Sequence, residues 1–365
     1  MPIQQMLLGA GGAAPVKVQD VFSADLWTGN GSSQSIDNDI KLSSEGGLVW
    51  AKNRQTNIGG VSHMGHILTD TVRGTSKFLR CHGTSTEETS NSMVTSFNAD
   101  GYTLGSDSNI NYNTDTYVGW TFRKHPKFFD IQTATVSAGG ASTMTHSLEC
   151  DCGMAIFKSL NNTTQGANWI VWHKEGCTGA NEFWRLNTND GRQSQSNTVN
   201  YNSSTKTFTF GYPASVMADR LRPGTGASSN VIGYFFADNT NNGGFGSGGD
   251  EDIIRTGTYT GNGNTAGPSA VNVGFEPQYL IVKRLNAAAD WIVWDTARGV
   301  VSGEWSNYTY TEPHLKLNQN YSENWPVGTD MMEFNSSGFQ PRSNDIAVNN
   351  GGHTYIYLAI RKDQS

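Results

Sequence analysis

The densest run of side chains suited to gripping a ligand lies between Glu304 and Pro326. There Trp305, Tyr308, Tyr310, Tyr321 and Trp325 stand among Asn, Ser and Glu. Flat aromatic faces stack on the CH faces of sugar rings, while neighbouring amides and carboxylates bond the hydroxyls. These five residues are the candidate carbohydrate contacts. The alternative is that the rings fill a core or a subunit interface, where Tyr and Trp are also enriched.

Other polar constellations point to structure rather than catalysis. Asp70-Thr71-Val72-Arg73-Gly74 returns as Asp295-Thr296-Ala297-Arg298-Gly299. An Asp leading a tight turn caps backbone N–H groups, and an Arg three residues on can pair with it. The corresponding stretch between the two reads His173-Lys174-Glu175-Gly176, so the pair is not a shared catalytic device. The alternating Asp107-x-Asn109-x-Asn111-x-Asn113-x-Asp115 lacks the mid-loop Gly and terminal Glu of a helix-loop-helix calcium site, and reads as an Asn-rich hairpin. Of the four cysteines, Cys150-x-Cys152 is too tightly spaced for a zinc knuckle. With Cys81 and Cys177 they read as free thiols of a protein made in a reducing cytoplasm. No nucleophile elbow, His-Glu-x-x-His, Walker loop or dinucleotide fingerprint occurs. The expectation is a non-enzyme with no cofactor and no metal. Glycoside hydrolysis needs only two carboxylates at the right separation, so a polysaccharide depolymerase stands as an alternative.

The elements that must position these residues recur. Gly47-Leu48-Val49-Trp50-Ala51-Lys52, Gly153-Met154-Ala155-Ile156-Phe157-Lys158 and Gln278-Tyr279-Leu280-Ile281-Val282-Lys283 are apolar runs ending in Lys, as a buried strand emerging into solvent would be. Each is followed by a second strand: Gly65–Thr69, Trp169–Trp172 and Trp291–Trp294. Each copy closes on an aromatic strand: Tyr117–Lys124, Val231–Phe236 and Tyr355–Lys362. Ser96-Phe97-Asn98-Ala99-Asp100-Gly101-Tyr102 is echoed by Glu333–Phe339, but this marker has no clear counterpart in the second copy. Period-two alternation in Trp291-Ile292-Val293-Trp294 sends the two tryptophans to opposite faces. One Trp must then leave its own core to cover a neighbouring copy or another chain, or lie exposed.

Short strands separated by Gly, Asn, Ser and Asp clusters predict an all-β protein of three tandem antiparallel β-sandwich repeats, jelly-roll or lectin-like. The boundaries are an N-terminal arm at 1–20, repeat 1 at 21–125, a divergent repeat 2 at 126–238, a Gly/Asn-rich linker at 239–252 and repeat 3 at 253–365. Thr84–Asn91 and Pro213–Leu221 could each hold a turn or two of helix. The linker is flexible by composition, whereas the short junction at His125-Pro126 lets repeats 1 and 2 pack as a unit.

A net charge of −7 and scattered cations exclude the basic footprint of a nucleic-acid binder. No apolar run approaches a membrane span, and the start lacks the pattern of a signal peptide. The leading Ile3, Met6, Leu7 and Leu8, before a Gly/Ala hinge, form a short apolar peg suited to docking on a partner.

The markers Asp70–Gly74, Ser96–Gly105 and Thr116–Lys124, with the opening Ile3–Gly9, resemble a repeat of virion structural proteins of tailed bacteriophages, marine ones especially. The resemblance implies a non-enzymatic tail-fibre or adhesin-type component, located in the virion after synthesis in the host cytoplasm. Its arm would bind other virion proteins, its repeats would project as a homo-oligomer (a trimer for a fibre), and a host surface glycan would be its ligand. A capsid decoration or tail connector with a purely structural role is the alternative within the same family.

Overall fold

Strands buried on both faces organise the molecule. Gly47–Asn53, Cys152–Ser159 and Pro277–Arg284 are almost wholly buried, as their near-continuous apolar runs require. The structure is a computed structural model. It describes residues 15–55, 65–137, 140–162, 167–196, 198–211, 221, 228–264, 270–300, 313–323 and 331–363. The docking peg Ile3, Met6, Leu7 and Leu8 lies outside the described residues.

The fold is all-β and antiparallel. In repeat 1 a large sheet runs in the order Phe22–Thr28, Thr116–Arg123, Gly47–Asn53, His66–Asp70, Lys77–Arg80, Glu88–Thr89. Facing it is a small sheet of Gln34–Asp37, Gly101–Leu104 and Val94–Phe97. The same wiring returns in the large sheet built on Cys152–Ser159 and again in the one built on Pro277–Arg284, each with its own three-stranded partner. Thr84–Asn91 is not helical: it carries the two-residue strand Glu88–Thr89 at the sheet edge.

The two faces of each large sheet do different work. In repeat 1, Val49, Ala51, Ile67 and Tyr117 pack with Tyr102 and Leu104 of the small sheet. In repeat 3, Leu280, Val282, Ile292, Trp294 and Tyr355 pack with Phe334 and Phe339. The alternate residues point the other way, into one cluster shared by all three repeats: Leu48, Trp50 and Trp120 from repeat 1, Trp169 and Tyr234 from repeat 2, Tyr279, Trp291 and Leu358 from repeat 3. Phe122 lies at its centre, with ring centroids 5.5 Å from Phe129, 5.3 Å from Phe236 and 5.8 Å from Tyr279. The tryptophan pair divides as alternation predicts: Trp294 stays in its own sandwich and Trp291 enters the shared core.

Two expectations are corrected. Residues 239–252 are not a flexible linker. Asn239 is fully buried and its Oδ1 accepts from Ile253 N and Ile254 N, both at 3.2 Å. The Asp252 carboxylate accepts from Asn241 N at 2.8 Å and Gly243 N at 3.0 Å, and Phe245 is buried in the shared core. Composition favours flexibility here, but one aromatic anchor and two capping side chains hold the segment. Repeat 3 is therefore packed as closely as repeats 1 and 2.

The second correction concerns the repeating lysines. Lys52, Lys158 and Lys283 do not emerge into solvent; all three are buried, at 1%, 0% and 0% exposure. Each strand runs on beneath a neighbouring repeat instead of ending at the surface.

The hairpin marker missing from repeat 2 is also located. Tyr201 pairs with Phe208 across Asn202–Thr207, where Phe97 pairs with Tyr102 in repeat 1. In strand register the position held by Gly101 (φ 145°) in repeat 1 falls on Thr207 in repeat 2, next to Lys206 (φ 56°), so the Gly that marks the turn elsewhere is absent.

A core shared in this way predicts one unfolding event. Fluorescence, circular dichroism and calorimetry should report coincident transitions for the full chain. A fragment of 253–365 alone should fail to give a cooperative transition, because Ile281, Trp291, Val293 and Leu358 lose their cover. A stable isolated fragment would show that the shared core is dispensable.

Candidate functional site

The seams between repeats carry the buried polar groups, and they repeat in a cycle. At one seam position stand His66, Trp169 and Trp291. Trp169 Nε1 donates to Arg80 O of repeat 1 at 3.0 Å, and Trp291 Nε1 to Arg185 O of repeat 2 at 3.0 Å. His66 closes the ring, since its Nδ1 accepts from Trp50 Nε1 at 3.0 Å, leaving Nε2 to donate to Lys316 O of repeat 3 at 3.1 Å. Backbone bonds run alongside: Glu87 N to Leu160 O at 3.0 Å, Arg192 N to Leu285 O at 2.7 Å and Glu323 N to Arg54 O at 3.1 Å. The three repeats thus form a closed ring about a pseudo-threefold axis.

The buried lysines sit at these seams. Lys158 Nζ donates to Ala167 O and, at 3.1 Å, to Thr84 O of repeat 1. Lys283 Nζ donates to Ala289 O and, at 3.0 Å, to Asn189 O of repeat 2. Lys52 Nζ donates to Asn53 O at 2.5 Å. Burial away from water penalises the ammonium and pushes all three down to about 7. Their partners are carbonyl oxygens, which bond an amine without restoring full charge stabilisation.

The Asp/Arg turns expected as structural are seam devices. Asp70 Oδ1 accepts from Arg73 N at 3.0 Å, and Oδ2 from Arg73 Nε at 2.6 Å and from Tyr234 Oη of repeat 2 at 2.9 Å. Asp295 repeats the pattern with Arg298 N at 2.9 Å, Arg298 Nε at 2.6 Å and Trp120 Nε1 of repeat 1 at 2.8 Å. The Arg298 guanidinium also lies 5.7 Å from the Trp120 ring centroid.

At the third seam the whole set changes together. His173 takes the Asp position: its Nδ1 accepts from Gly176 N at 3.2 Å, so Nε2 donates to Tyr357 O of repeat 3 at 3.0 Å. Burial lowers His173 to about 4 and keeps it neutral. Strand register places Leu358 where Trp120 and Tyr234 stand. An apolar residue there needs no carboxylate, which accounts for the divergent turn of repeat 2.

The remaining seam feature opens outward. Between repeats 2 and 3 lies a cavity of about 300 Å³. Its floor is Ile292 and Met331, its rim carries Asn189, Asp290, Lys316 and Asp345, and Ile346 forms an exposed lip. Lys316 Nζ lies 2.7 Å from Asp290, whose other oxygen accepts from Asn318 Nδ2 at 2.7 Å. These bonds hold the Asp290 carboxyl below its ordinary value against the effect of burial. Asp345 Oδ1 accepts from Ala347 N at 2.7 Å, fixing the loop that bears Ile346.

Of the candidate sugar contacts, Trp305, Tyr308, Tyr310 and Trp325 lie outside the described residues. Tyr321 is described and is 45% exposed. The cavity draws His314 and Lys316 from the same stretch of chain. It was missed in the sequence because its rim comes from four separate segments, with no spacing to link them. Cys81, Cys150, Cys152 and Cys177 are free thiols, and no group of three or more His, Cys, Asp or Glu among the described residues is placed to hold a metal. Asp107 and Asn109 are engaged locally, Asp107 Oδ1 accepting from Asn109 N at 3.0 Å as the cap of a short helix.

The chain belongs to the DUF7483 family, a domain of unknown function, matched over residues 17–363. No curated protein matches it. The matched span runs through all three repeats.

Two outcomes follow from the seams. Asp70→Ala leaves the buried Arg73 guanidinium with only the more distant Glu87 carboxylate, 3.7 Å away, and should cost about 3 kcal/mol in denaturant unfolding. Asp70→His with Arg73→Gly and Tyr234→Leu, which transplants the third seam, should cost less than the separate substitutions summed; strict additivity would count against coupling. The lysines set a pH dependence. The unfolded chain keeps these protons up to the ordinary 10.5 while the folded one releases them from about 7, so stability rises with pH above 7. The slope should approach about 1.4 kcal/mol per pH unit for each lysine. It should fade near 9, where unfolded cysteines begin to ionise while burial keeps the folded thiols protonated. Calorimetry from pH 7 to 8.5 should show a rising melting temperature, flattened by Lys158→Met with Lys283→Met.

Proposed function

We propose that the protein is a non-enzymatic structural component of a phage particle, of the tail-fibre or adhesin type, which presents a binding surface to host glycans. The observation that carries this reading is the closed ring: buried polar groups are spent on joining repeats, while the cavity between repeats 2 and 3 is bounded by the Asp290–Lys316 ion pair, the Asn189 amide, Asp345, His314 and apolar side chains. Such a lining can hold a ligand in place, and Asp290 is already engaged by Lys316 and Asn318. The similarity of Asp70–Gly74, Ser96–Gly105 and Thr116–Lys124 to phage virion repeats supports the particle context.

The ring also bears on assembly. Each seam is closed within one chain, so a homotrimer would form through other surfaces, with the apolar peg at Ile3, Met6, Leu7 and Leu8 as the contact to other virion proteins. A decorating or connecting role without host contact is the competing reading, and a depolymerase the third.

Labelled antibody against the protein should mark intact particles at the tail, and the purified chain should adhere to host cells. Absence from particles would overturn the proposal, and a capsid location without adhesion would favour decoration. Release of sugar from host polysaccharide would reinstate the depolymerase.

A further inference from the structure

We propose that the groove between repeats 2 and 3 is the ligand site, and that it takes a neutral or amino-substituted sugar ring rather than an acidic one. This inference rests on the attachment reading above and locates the ligand within it. About 300 Å³ lies at the small end of small-molecule sites, roughly the space of one or two sugar rings. Ile292 and Met331 give the apolar floor on which a ring's CH face can lie, and Ile346, at 54% exposure, extends that surface outward. Among the described residues Ile346 is the most exposed large hydrophobic side chain, ahead of Leu26, Val72, Tyr112 and Tyr321.

The rim supplies hydroxyl partners: the exposed Asn189 amide, the Asp290–Lys316 pair and the Asp345 carboxylate. On the rim two carboxylates, Asp290 and Asp345, stand against one ammonium, Lys316, with His314 on the wall and the buried Lys283 behind the carbonyls of Asn189 and Ala289. That balance admits hydroxyl and amino substituents and repels a carboxylate on the ligand.

Comparison among the repeats shows that the rim is particular to this seam. Where repeat 3 has Asp290 bonded to Asn318, repeat 2 has Asn168 bonded to Asn187 at 2.7 Å, an uncharged version of the same contact. Where repeat 3 has Lys316 facing Asp290, repeat 2 has Arg185 paired with Asp190 at 2.7 Å. Repeat 1 has Gly65 before its strand, and Arg80 is bonded to Glu88 and Asn109. Among the described residues, the carboxylate–ammonium pair at these two positions appears in repeat 3 alone.

The test uses the full chain with three probes: methyl glucoside, methyl N-acetylglucosaminide and methyl glucuronide, followed by saturation-transfer NMR and titration calorimetry. At least one of the first two should bind and the glucuronide should not. Ile346→Ala and Asn189→Ala, both at exposed positions, should each weaken binding about three- to tenfold, the range of one lost contact, with unchanged melting temperatures. Failure of both uncharged probes to bind, preferential binding of the glucuronide, or binding unaffected by both variants would overturn the inference. Host-cell adhesion separates the two levels. Adhesion that persists unchanged in both variants removes the groove and leaves the attachment reading standing, whereas no adhesion by the unsubstituted chain removes the attachment reading itself.

Discussion

The structure depends on one apolar surface that no single repeat can cover. Each large sheet has two hydrophobic faces, and its small sheet is wide enough to shield only one. The second face presents Trp50 and Trp120, Trp169 and Tyr234, or Tyr279, Trp291 and Leu358, and these meet in the middle. Burying a large side chain of this kind is worth about 1.5–3 kcal/mol, so exposing such a face in three independent domains would be prohibitive. A ring of three is the arrangement in which every second face finds the other two.

Closing the core in this way forces polar chemistry onto the seams. Strands that continue beneath a neighbour carry Lys52, Lys158 and Lys283 out of water, and indole and imidazole N–H groups must find acceptors there. For His66, Trp169 and Trp291 the solution at all three seams is the neighbour's backbone carbonyl, an acceptor that no side-chain substitution can remove. This explains how the ring tolerates divergence: the cycle of ring N–H to carbonyl bonds survives even where Trp has become His66.

Where symmetry is broken, it is broken in compensated sets. His173, Gly176 and Leu358 replace an Asp, an Arg and an aromatic donor together. A second example lies on the opening strands. Gly119 sits opposite Asp25 in repeat 1, where a Cβ would come within 2.6 Å of Tyr102 Oη. In repeat 3 the glycine has moved across the strand pair to Gly257, and Tyr357 fills the space that it leaves. The groove belongs to the same kind of local departure: a seam whose inner face keeps the common plan while its outer rim changes charge.

The sequence by itself determined the all-β class, the order of the three copies and the division of the Trp291–Trp294 pair between two faces, because period-two alternation and turn residues act over a few positions. It also identified Asp70 and Asp295 as turn caps, a role that is local. What only the tertiary structure decided was everything between copies: that Lys52, Lys158 and Lys283 are buried, that residues 239–252 are pinned by Phe245 and Asn239, that Asp70 meets Tyr234, and that Asn189, Asp290 and Asp345 share one groove. Burial and charge pairing are properties of a residue's surroundings, and those surroundings come from distant segments: 74 residues for Lys158 and Thr84, 94 for Lys283 and Asn189, 164 for Asp70 and Tyr234. A linear pattern records which face a side chain takes; the molecule that covers that face is settled only when the chain closes on itself.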